Sequence, residues 1–515
     1  MSLPVSRRGD QPVVRRNEWD VLAPPAVGAW TPTRTVTVVV PAYNSHRTLP
    51  HVLAGLAAQT YPAHLMEVVV SDDGSTPPVE LPAVVPDNTR VVRVAEGWGC
   101  AGACEVAGRA SEGELLYFVD ADMLLWPDHL EAQLRWLHEV DYAVVAGTKR
   151  FVDPERLLAQ DPATTRQQVA SGEVATLWDW EEAEPHKWVE GMWRRTDDLT
   201  QAGPRAFRSF VGATFALSRD LLDAAGGWDT TLRLGEDMEL GHRLGEAGGI
   251  LVPEHDARSW HLGRSHVMER RDQVNRYNDA YLANLVPGMR PKRNAHGRRY
   301  ETPYLEVVLE MTGDADEVRG CVDAVLDSTL DDLRVLLVGD WAALHEERIH
   351  PLADPLLETR IVHRTYRDDQ RVALVAAVPE GRTRSSLRLT LDSAALAPTP
   401  GALLALVEDL ERTHDGALVI DGVGRLERVA AVTRATWLGL GTSDEALDRV
   451  YGVRRVPAAD AGFVPTAERE VPRYDGKLKK PVPSELGATP PPEGNAPDAT
   501  PEPPHHKRGL WGRLR

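Results

Sequence analysis

Short apolar runs of strand length alternate with helical spacing over the first part of the chain. Val36 to Val40 is β-branched throughout and stops at Pro41-Ala42-Tyr43-Asn44, which reads as a buried strand. Leu49, Val52, Leu53, Leu56 and Ala57 then recur on one helix face. Glu67–Val70, Val91–Val94 and Leu115–Val119 are the next three strand-length runs. The first of these closes on Ser71-Asp72-Asp73-Gly74-Ser75, the last on Asp120-Ala121-Asp122. Strands alternating with helices predict a doubly wound α/β sheet. In such sheets ligands sit outside the carboxyl ends of the strands.

Two carboxylates one residue apart at a strand end suit a hard divalent cation, which takes oxygen ligands and shares them with substrate phosphates. Asp120 and Asp122 therefore predict a metal–diphosphate site. The bland reading of Asp72-Asp73-Gly74-Ser75 is an ordinary turn. Downstream, Phe215-Ala216-Leu217 precedes Gly226-Gly227-Trp228-Asp229. Gly235-Glu236-Asp237 then opens a short helix carrying Arg243 and Leu244, and Trp260-His261-Leu262-Gly263 follows. Acidic residues at a helix start also complement the helix dipole, so position alone does not assign them to catalysis.

Together these segments resemble the family 2 glycosyltransferases, whose fold is GT-A. The resemblance rests on Pro41-Ala42-Tyr43-Asn44, Gln59-Thr60, Ser71-Asp72-Asp73-Gly74-Ser75, Gly113-Glu114, Val119-Asp120-Ala121-Asp122, Pro127, Gly226-Gly227-Trp228-Asp229, Glu236-Asp237 and Arg243, in family order. Gly212 to Leu251 also resembles the carboxyl half of galactosyl- and N-acetylgalactosaminyl-transferase domains. The resemblance implies that Asp73 accepts the uracil N3–H, with Pro41 and Tyr43 lining the base and ribose pocket. It puts Asp120 near the ribose, Asp122 on Mn²⁺ or Mg²⁺, and Asp237 as general base. His261 would complete the metal shell, with His255 and His266 as competitors. The implied activity is metal-dependent, inverting transfer from a nucleotide sugar, a UDP-sugar, to a hydroxyl of a glycan or lipid-linked acceptor. The implied setting is synthesis of cell-envelope or surface polysaccharide, with the acceptor at the inner membrane face; the excess of Arg over Lys suits a bacterial source.

The chain also departs from the family. Members usually carry Asn-x-Gly after the third strand and a basic residue plus Asn in the next helix. Here Gly97-Trp98-Gly99 is followed by Cys104-Glu105. That leaves open a non-catalytic nucleotide-sugar-binding or scaffold protein on the same fold. Retention of Asp73, Asp122 and Asp237 favours the enzyme. A nucleotidyltransferase would need a Gly-rich, Lys-containing phosphate loop after the first strand.

A second pattern begins near Thr302. Leu305–Leu309, a helix through Val318, Val322 and Leu326, and Val335–Val338 before Gly339-Asp340 mirror Val36 through Asp73. Leu387 to Pro398 mirrors Leu115 to Pro127, but Ser393-Ala394 stands where Ala121-Asp122 stands. Order and spacing both recur, which predicts a repeat. The expected organisation is an extension at 1–34, a catalytic GT-A domain at 35–300, a degenerate GT-A-like α/β domain at 302–465 and a Pro-rich disordered tail at 466–515. The degenerate domain would lack the metal and serve as cover or as a homo-oligomer contact.

Composition narrows this little. At 515 residues the chain exceeds one typical domain. A formal net charge of −19 argues against general nucleic-acid affinity. Three cysteines without matching pairs fit neither a zinc site nor a disulfide framework, and suit a reducing cytoplasm. No apolar run approaches the ~20 residues of a spanning helix. Trp178, Trp180, Trp188 and Trp193 lie among charged residues, a composition for sugar or acceptor recognition, or alternatively for a lid or dimer contact. Lys507, Arg508, Arg513 and Arg515 surround Leu510, Trp511 and Leu514. That end predicts weak peripheral membrane contact, against the alternatives of a solvated tail or a protein-docking motif.

Overall fold

The fold is built on two sheets with the same plan. The computed structural model describes residues 9–293, 298–345, 348–379 and 385–469. The expected Pro-rich stretch and basic terminus beyond Arg469 lie outside them. The first sheet contains β1 (Val36–Ala42), β2 (Met66–Asp72), β3 (Thr89–Arg93), β4 (Leu115–Val119), β5 (Met123–Leu125), β6 (Ala143–Val152), β7 (Glu184–Pro185), β8 (Thr214–Ser218) and β9 (Ile250–Leu262). Its order is β3-β2-β1-β4-β8-β6-β9-β5, with β7 paired to β6. β1 to β4 are parallel, β8 runs antiparallel to β4 and β6, and β6 and β9 are parallel again. This is the GT-A arrangement. Val36, Val38, Val39 and Val40 are fully buried, as parallel strands covered on both faces require. Helices Leu49–Leu56, Cys100–Arg109 and His129–Glu139 accompany these strands.

The second sheet contains β10 (Leu305–Glu310), β11 (Leu333–Val338), β12 (Val372–Val375), β13 (Leu387–Leu391), β15 (Ala417–Asp421), β16 (Gly424–Arg428) and β17 (Val453–Pro457), while β14 (Leu396–Pro398) pairs separately with β18 (Phe463–Pro465). Its order, β12-β11-β10-β13-β16-β15-β17, repeats the first sheet strand for strand. The senses repeat too: β10 to β13 are parallel, β16 is antiparallel to both neighbours, and β15 is parallel to β17. The β14–β18 pair stands where β5 pairs with the far half of β9.

Both sheets belong to one compact unit that ends at Arg469. A fully buried guanidinium joins them. Arg434, on helix Val429–Trp437, donates to the carbonyls of Gly248 and Gly249 at 2.7 Å each, of Val14 at 3.2 Å, and of Arg16. The early segment, read from sequence as an extension, is thus tied down. Val14 is fully buried and donates to Tyr142 Oη at 3.1 Å, and Asn17 brackets Leu251 through its amide.

Candidate active site

The end of β4 and the start of β5 form one tight turn. Asp120 N–H donates to Ala213 O at 3.1 Å, and Met123 N–H donates to Asp120 O at 3.1 Å. β5 then pairs antiparallel with β9, with Met123 opposite His261, and Leu262 N–H donates to Asp122 O at 2.8 Å. This register sets the His261 imidazole beside Asp122, with Nε2 3.9 Å from Oδ1. An irregularity between Gly147 and Thr148 shifts the β6–β9 register before both strands reach the site. Glycine is needed there: a Cβ at Gly147 would lie 2.8 Å from Ala257 O and from His129 Nε2.

Asp237 enters from helix Glu236–Glu246, whose cap, Gly235, has φ +77°. Its carboxylate is held on both oxygens, Oδ1 accepting from Met238 N–H at 2.7 Å and Oδ2 from Gly212 N–H at 3.2 Å. Arg243 belongs to the support. It forks Glu239 at 2.6 Å on both oxygens and donates to the carbonyls of Ala225 and Gly227, locking the helix to the Gly226-Gly227 turn.

The pocket is electrostatically strained. Burial, then the charge of Asp122, pushes Asp120 well above the usual carboxylate range. Burial also raises Asp237, although the Met238 and Gly212 amides and Lys149 oppose it. Burial and neighbouring Asp237 push Glu236 up to about 7. Against these stands Lys149 on β6, which burial pulls down to about 8 while Asp120, Asp237 and Asp122 pull it back up. One amine among several carboxylates leaves the cleft short of positive charge. Asp122 Oδ1 is buried with no hydrogen-bond partner. Its 3.9 Å separation from His261 Nε2 is one that two ligands of a single ion can span, given bonds of roughly 2.0–2.2 Å. Among the described residues no group of three or more His, Cys, Asp or Glu is arranged to hold an ion by itself. The pair therefore fits an ion that draws its remaining ligands from water and a bound diphosphate.

The residues read from sequence as the donor side lie at the carboxyl ends of β1 and β2. Pro41 is half-buried at the end of β1 and Tyr43 is 64% exposed just beyond it. Asp73 is half-buried; its Oδ2 accepts from Gly99 N–H at 2.7 Å, and its own N–H donates to Ala42 O at 2.9 Å. Asp72, beside it, is structural. Burial raises its pKa, but hydrogen bonds from Ser75 and Val79 outweigh that and hold it low. The two positions that depart from the family pattern also have roles. Glu105 Oε2 accepts from Trp228 N–H at 3.0 Å, while the Cys104 thiol lies buried 3.9 Å from that of Cys100. Trp98 is 60% exposed under the Arg233 guanidinium, 4.6 Å from its ring centroid.

Residues 37–216 match the model of glycosyl transferase family 2. The chain carries a family 2 glycosyltransferase domain. Hyaluronan synthase from Pasteurella multocida is 23% identical over 381 residues, 68% of this chain and 36% of its own. Validoxylamine A glucosyltransferase from Streptomyces hygroscopicus subsp. limoneus is 29% identical over 275 residues, 49% of this chain and 56% of its own. The chain thus spans about a third to somewhat over half the length of these relatives. Among solved structures, a mannosyltransferase from Pyrobaculum calidifontis in complex with GDP-Man and Mn²⁺ aligns over 51% of this chain and 66% of its own, at 22% identity and TM-score 0.32.

In the glycosyltransferase domain, sequence reasoning missed Lys149 and His186. Lys149 lies in an apolar strand with no motif around it. His186 follows β7, edge-on to Phe151, which packs 4.7 Å from His261. Burial, Lys149 and His261 together keep His186 neutral, down to about 2. Of the competing histidines, His255 faces Asp198 at 3.1 Å, and the His266 side chain lies outside the described residues. The four tryptophans divide. Trp178 and Trp180 pack on Trp260, Trp193 is 3% exposed, and Trp188 remains 46% exposed beside His186.

Proposed function

We propose that this protein is a metal-dependent inverting glycosyltransferase that moves a sugar from a UDP-sugar to the hydroxyl of a glycan or lipid-linked acceptor. The observation that carries this is the convergence of Asp122, His261 and Asp237 from three separate elements around one buried amine. Pro41 and Tyr43 would line the nucleoside site, and the free oxygen of Asp73 is available to the base. Asp120 would lie toward the ribose. Asp122 and His261 would hold Mn²⁺ or Mg²⁺, which supplies Lewis-acid stabilisation of the departing diphosphate. Asp237, held by two amides, would take the acceptor proton as the hydroxyl attacks. One base and one displacement give inversion at the anomeric carbon.

The relatives' names include two kinds of product, a polysaccharide and a small glycoside. We favour a cell-envelope or surface polysaccharide, made on the cytoplasmic side. No helix of the described residues is long and apolar enough to cross a membrane. The region at 302–465 is best read as a degenerate copy of the first domain, retained to brace it.

The test is thermal stabilisation of the protein by UDP-, GDP- and dTDP-sugars, with and without Mn²⁺, because a ligand that binds only the folded state raises its melting temperature. One UDP-sugar should stabilise the chain, and only with the metal. Equal stabilisation in excess chelator, or none by any donor, would overturn the reading.

A further inference from the structure

Four strands of the first sheet set four residues in one row. Glu184 on β7 pairs with Phe151 on β6, Phe151 with His261 on β9, and His261 with Met123 on β5, which follows Asp122 directly. Neighbouring strands lie about 4.8 Å apart, so β7 is two strand spacings from the imidazole beside Asp122. Lys149 stands two residues before Phe151, on the same face of β6, and its amine feels the charges of Asp120, Asp237 and Asp122. The chain that leaves β7 therefore sets out from the border of the catalytic cluster.

That chain turns at once into helix Lys187–Arg195. Its inner face is committed: Val189 and Trp193 are buried, and Glu190 pairs with Arg150 of β6. Trp188 is left outside, 46% exposed, its ring edge-on to His186 with centroids 5.4 Å apart. His186 is edge-on to Phe151 at 5.7 Å, and Phe151 packs 4.7 Å from His261. Two rings thus link an exposed indole to the imidazole of the metal pair and fix its orientation. The rim around it is polar. Glu184 lies 3.5 Å from both Lys187 Nζ and Arg264 Nη2, and His186 Nδ1 is buried without a hydrogen-bond partner. A single exposed apolar side chain is ordinary surface, but this one is rigidly mounted beside the reacting groups. A flat apolar face bordered by hydrogen-bonding groups suits a sugar ring, which has C–H bonds on its face and hydroxyls at its edge. The core of a protein interface would instead be broad and free of charge.

We propose that Trp188 is the acceptor platform: one sugar ring of the acceptor lies on its exposed face while the hydroxyl to be glycosylated reaches Asp237. The acceptor is then an oligosaccharide, free or carried on a lipid, and not a simple alcohol. The side chains of His186 and Phe151 stand between the platform and the metal pair, so more than one sugar is needed to span them. The proposal rests on the glycosyltransferase reading and names the acceptor class of that same site.

The experiment is isothermal titration of the full chain at physiological ionic strength, with and without UDP and Mn²⁺. The probes are maltotetraose, cellotetraose, chitotetraose and tetragalacturonate, each beside its monosaccharide. At least one tetrasaccharide should bind, about tenfold or more tighter than its monosaccharide. Trp188→Ala should weaken it about tenfold, and Trp188→Phe should keep most of the affinity. Tyr281→Ala removes an aromatic of similar exposure, 48%, from helix Arg271–Leu285 and should change nothing. No binding by any tetrasaccharide, no advantage over the monosaccharide, or Trp188→Ala that binds as the unaltered chain would refute the platform. Equal losses in Trp188→Ala and Tyr281→Ala would mark unspecific adhesion and also refute it. Stabilisation by UDP-sugar and Mn²⁺, measured on the same proteins, separates the two readings. If it persists in Trp188→Ala and the unaltered chain while tetrasaccharide binding is absent, only the platform fails; if the unaltered chain shows none, the glycosyltransferase reading fails.

Discussion

Replacing Arg434 by methionine should loosen the second sheet from the first. The guanidinium is fully buried and donates to four backbone carbonyls, those of Val14, Arg16, Gly248 and Gly249. A hydrogen bond from a charged group contributes about 1.5–3 kcal/mol, and a buried acceptor left alone costs about 1–3 kcal/mol. Against this, methionine fills much of the volume and removes the several-kcal/mol penalty of burying a cation with no carboxylate partner. The balance is a loss of about 3 kcal/mol, a large fraction of the roughly 5–15 kcal/mol of a typical domain. Calorimetry should show the transition lowered by several degrees. Transfer should fall as well, since Gly248 and Gly249 lie just beyond the end of helix Glu236–Glu246, which carries Asp237. Gly248→Ala attacks the same contact from the other side: φ there is +88°, and a Cβ would lie 2.8 Å from Arg434 N. A single unshifted transition for Arg434→Met would refute the idea that this latch holds the halves together.

Three further outcomes are expected. Asp122→Asn should abolish metal-dependent donor stabilisation, and the unaltered chain should bind Mn²⁺ weakly until a nucleoside diphosphate is added; tight Mn²⁺ binding without nucleotide, by calorimetry, would contradict the two-ligand site. Asp237→Asn should keep donor affinity but lose on the order of 10²–10⁴-fold in transfer. Because burial raises Asp237, transfer in the unaltered chain should fall as pH is lowered through that raised value, and a flat acid limb would argue against Asp237 as base. Glu246→Gln should stabilise the protein at neutral pH. Burial pushes this carboxyl up to about 8, so the folded state holds a proton that the unfolded chain gives up near pH ~4.5. The native carboxyl thus makes stability decline as pH rises between those values. Melting curves from pH 5 to 8 that decline equally with and without Glu246 would exclude it.

Much of the fold was legible because buried parallel strands write themselves as unbroken apolar runs. Val36–Val40 and Leu115–Val119 are such runs, and each ends where polar residues begin. The convergence of Asp122 and Asp237 was not legible from periodicity, since they are far apart in sequence and meet through β8 and its neighbours; the family resemblance supplied it. Lys149 was invisible for a different reason. A lone lysine within a strand usually faces water, and only the β6–β9 register places this one among three aspartates. The packing of the early segment was not legible either. It reads only as an N-terminal extension, yet Val14 is buried and the Val14 and Arg16 carbonyls are acceptors for Arg434. Polar sequence packs when its backbone is what the core needs.

The second sheet shows which features the architecture needs and which the chemistry needs. Strand order and sense survive in full, so the fold does not depend on the carboxylates. Where Asp122 stands in the first sheet, Ala394 is buried and belongs to an apolar cluster. Where Asp73 stands beside an open crevice, Trp341 folds inward and donates from Nε1 to Leu337 O at 3.2 Å and Val375 O at 3.0 Å. Its ring closes over Gly339, where a Cβ would lie 3.0 Å from Cζ2. The strand-end crevice proposed to take a nucleotide in the first domain is thus partly filled, in the second, by the protein's own side chain. A strand-end carboxylate cluster is costly to bury and survives only where a ligand repays it. Absence of the acids and filling of the crevice go together: where no ligand is held, apolar packing is the more stable way to close the carboxyl ends of the strands.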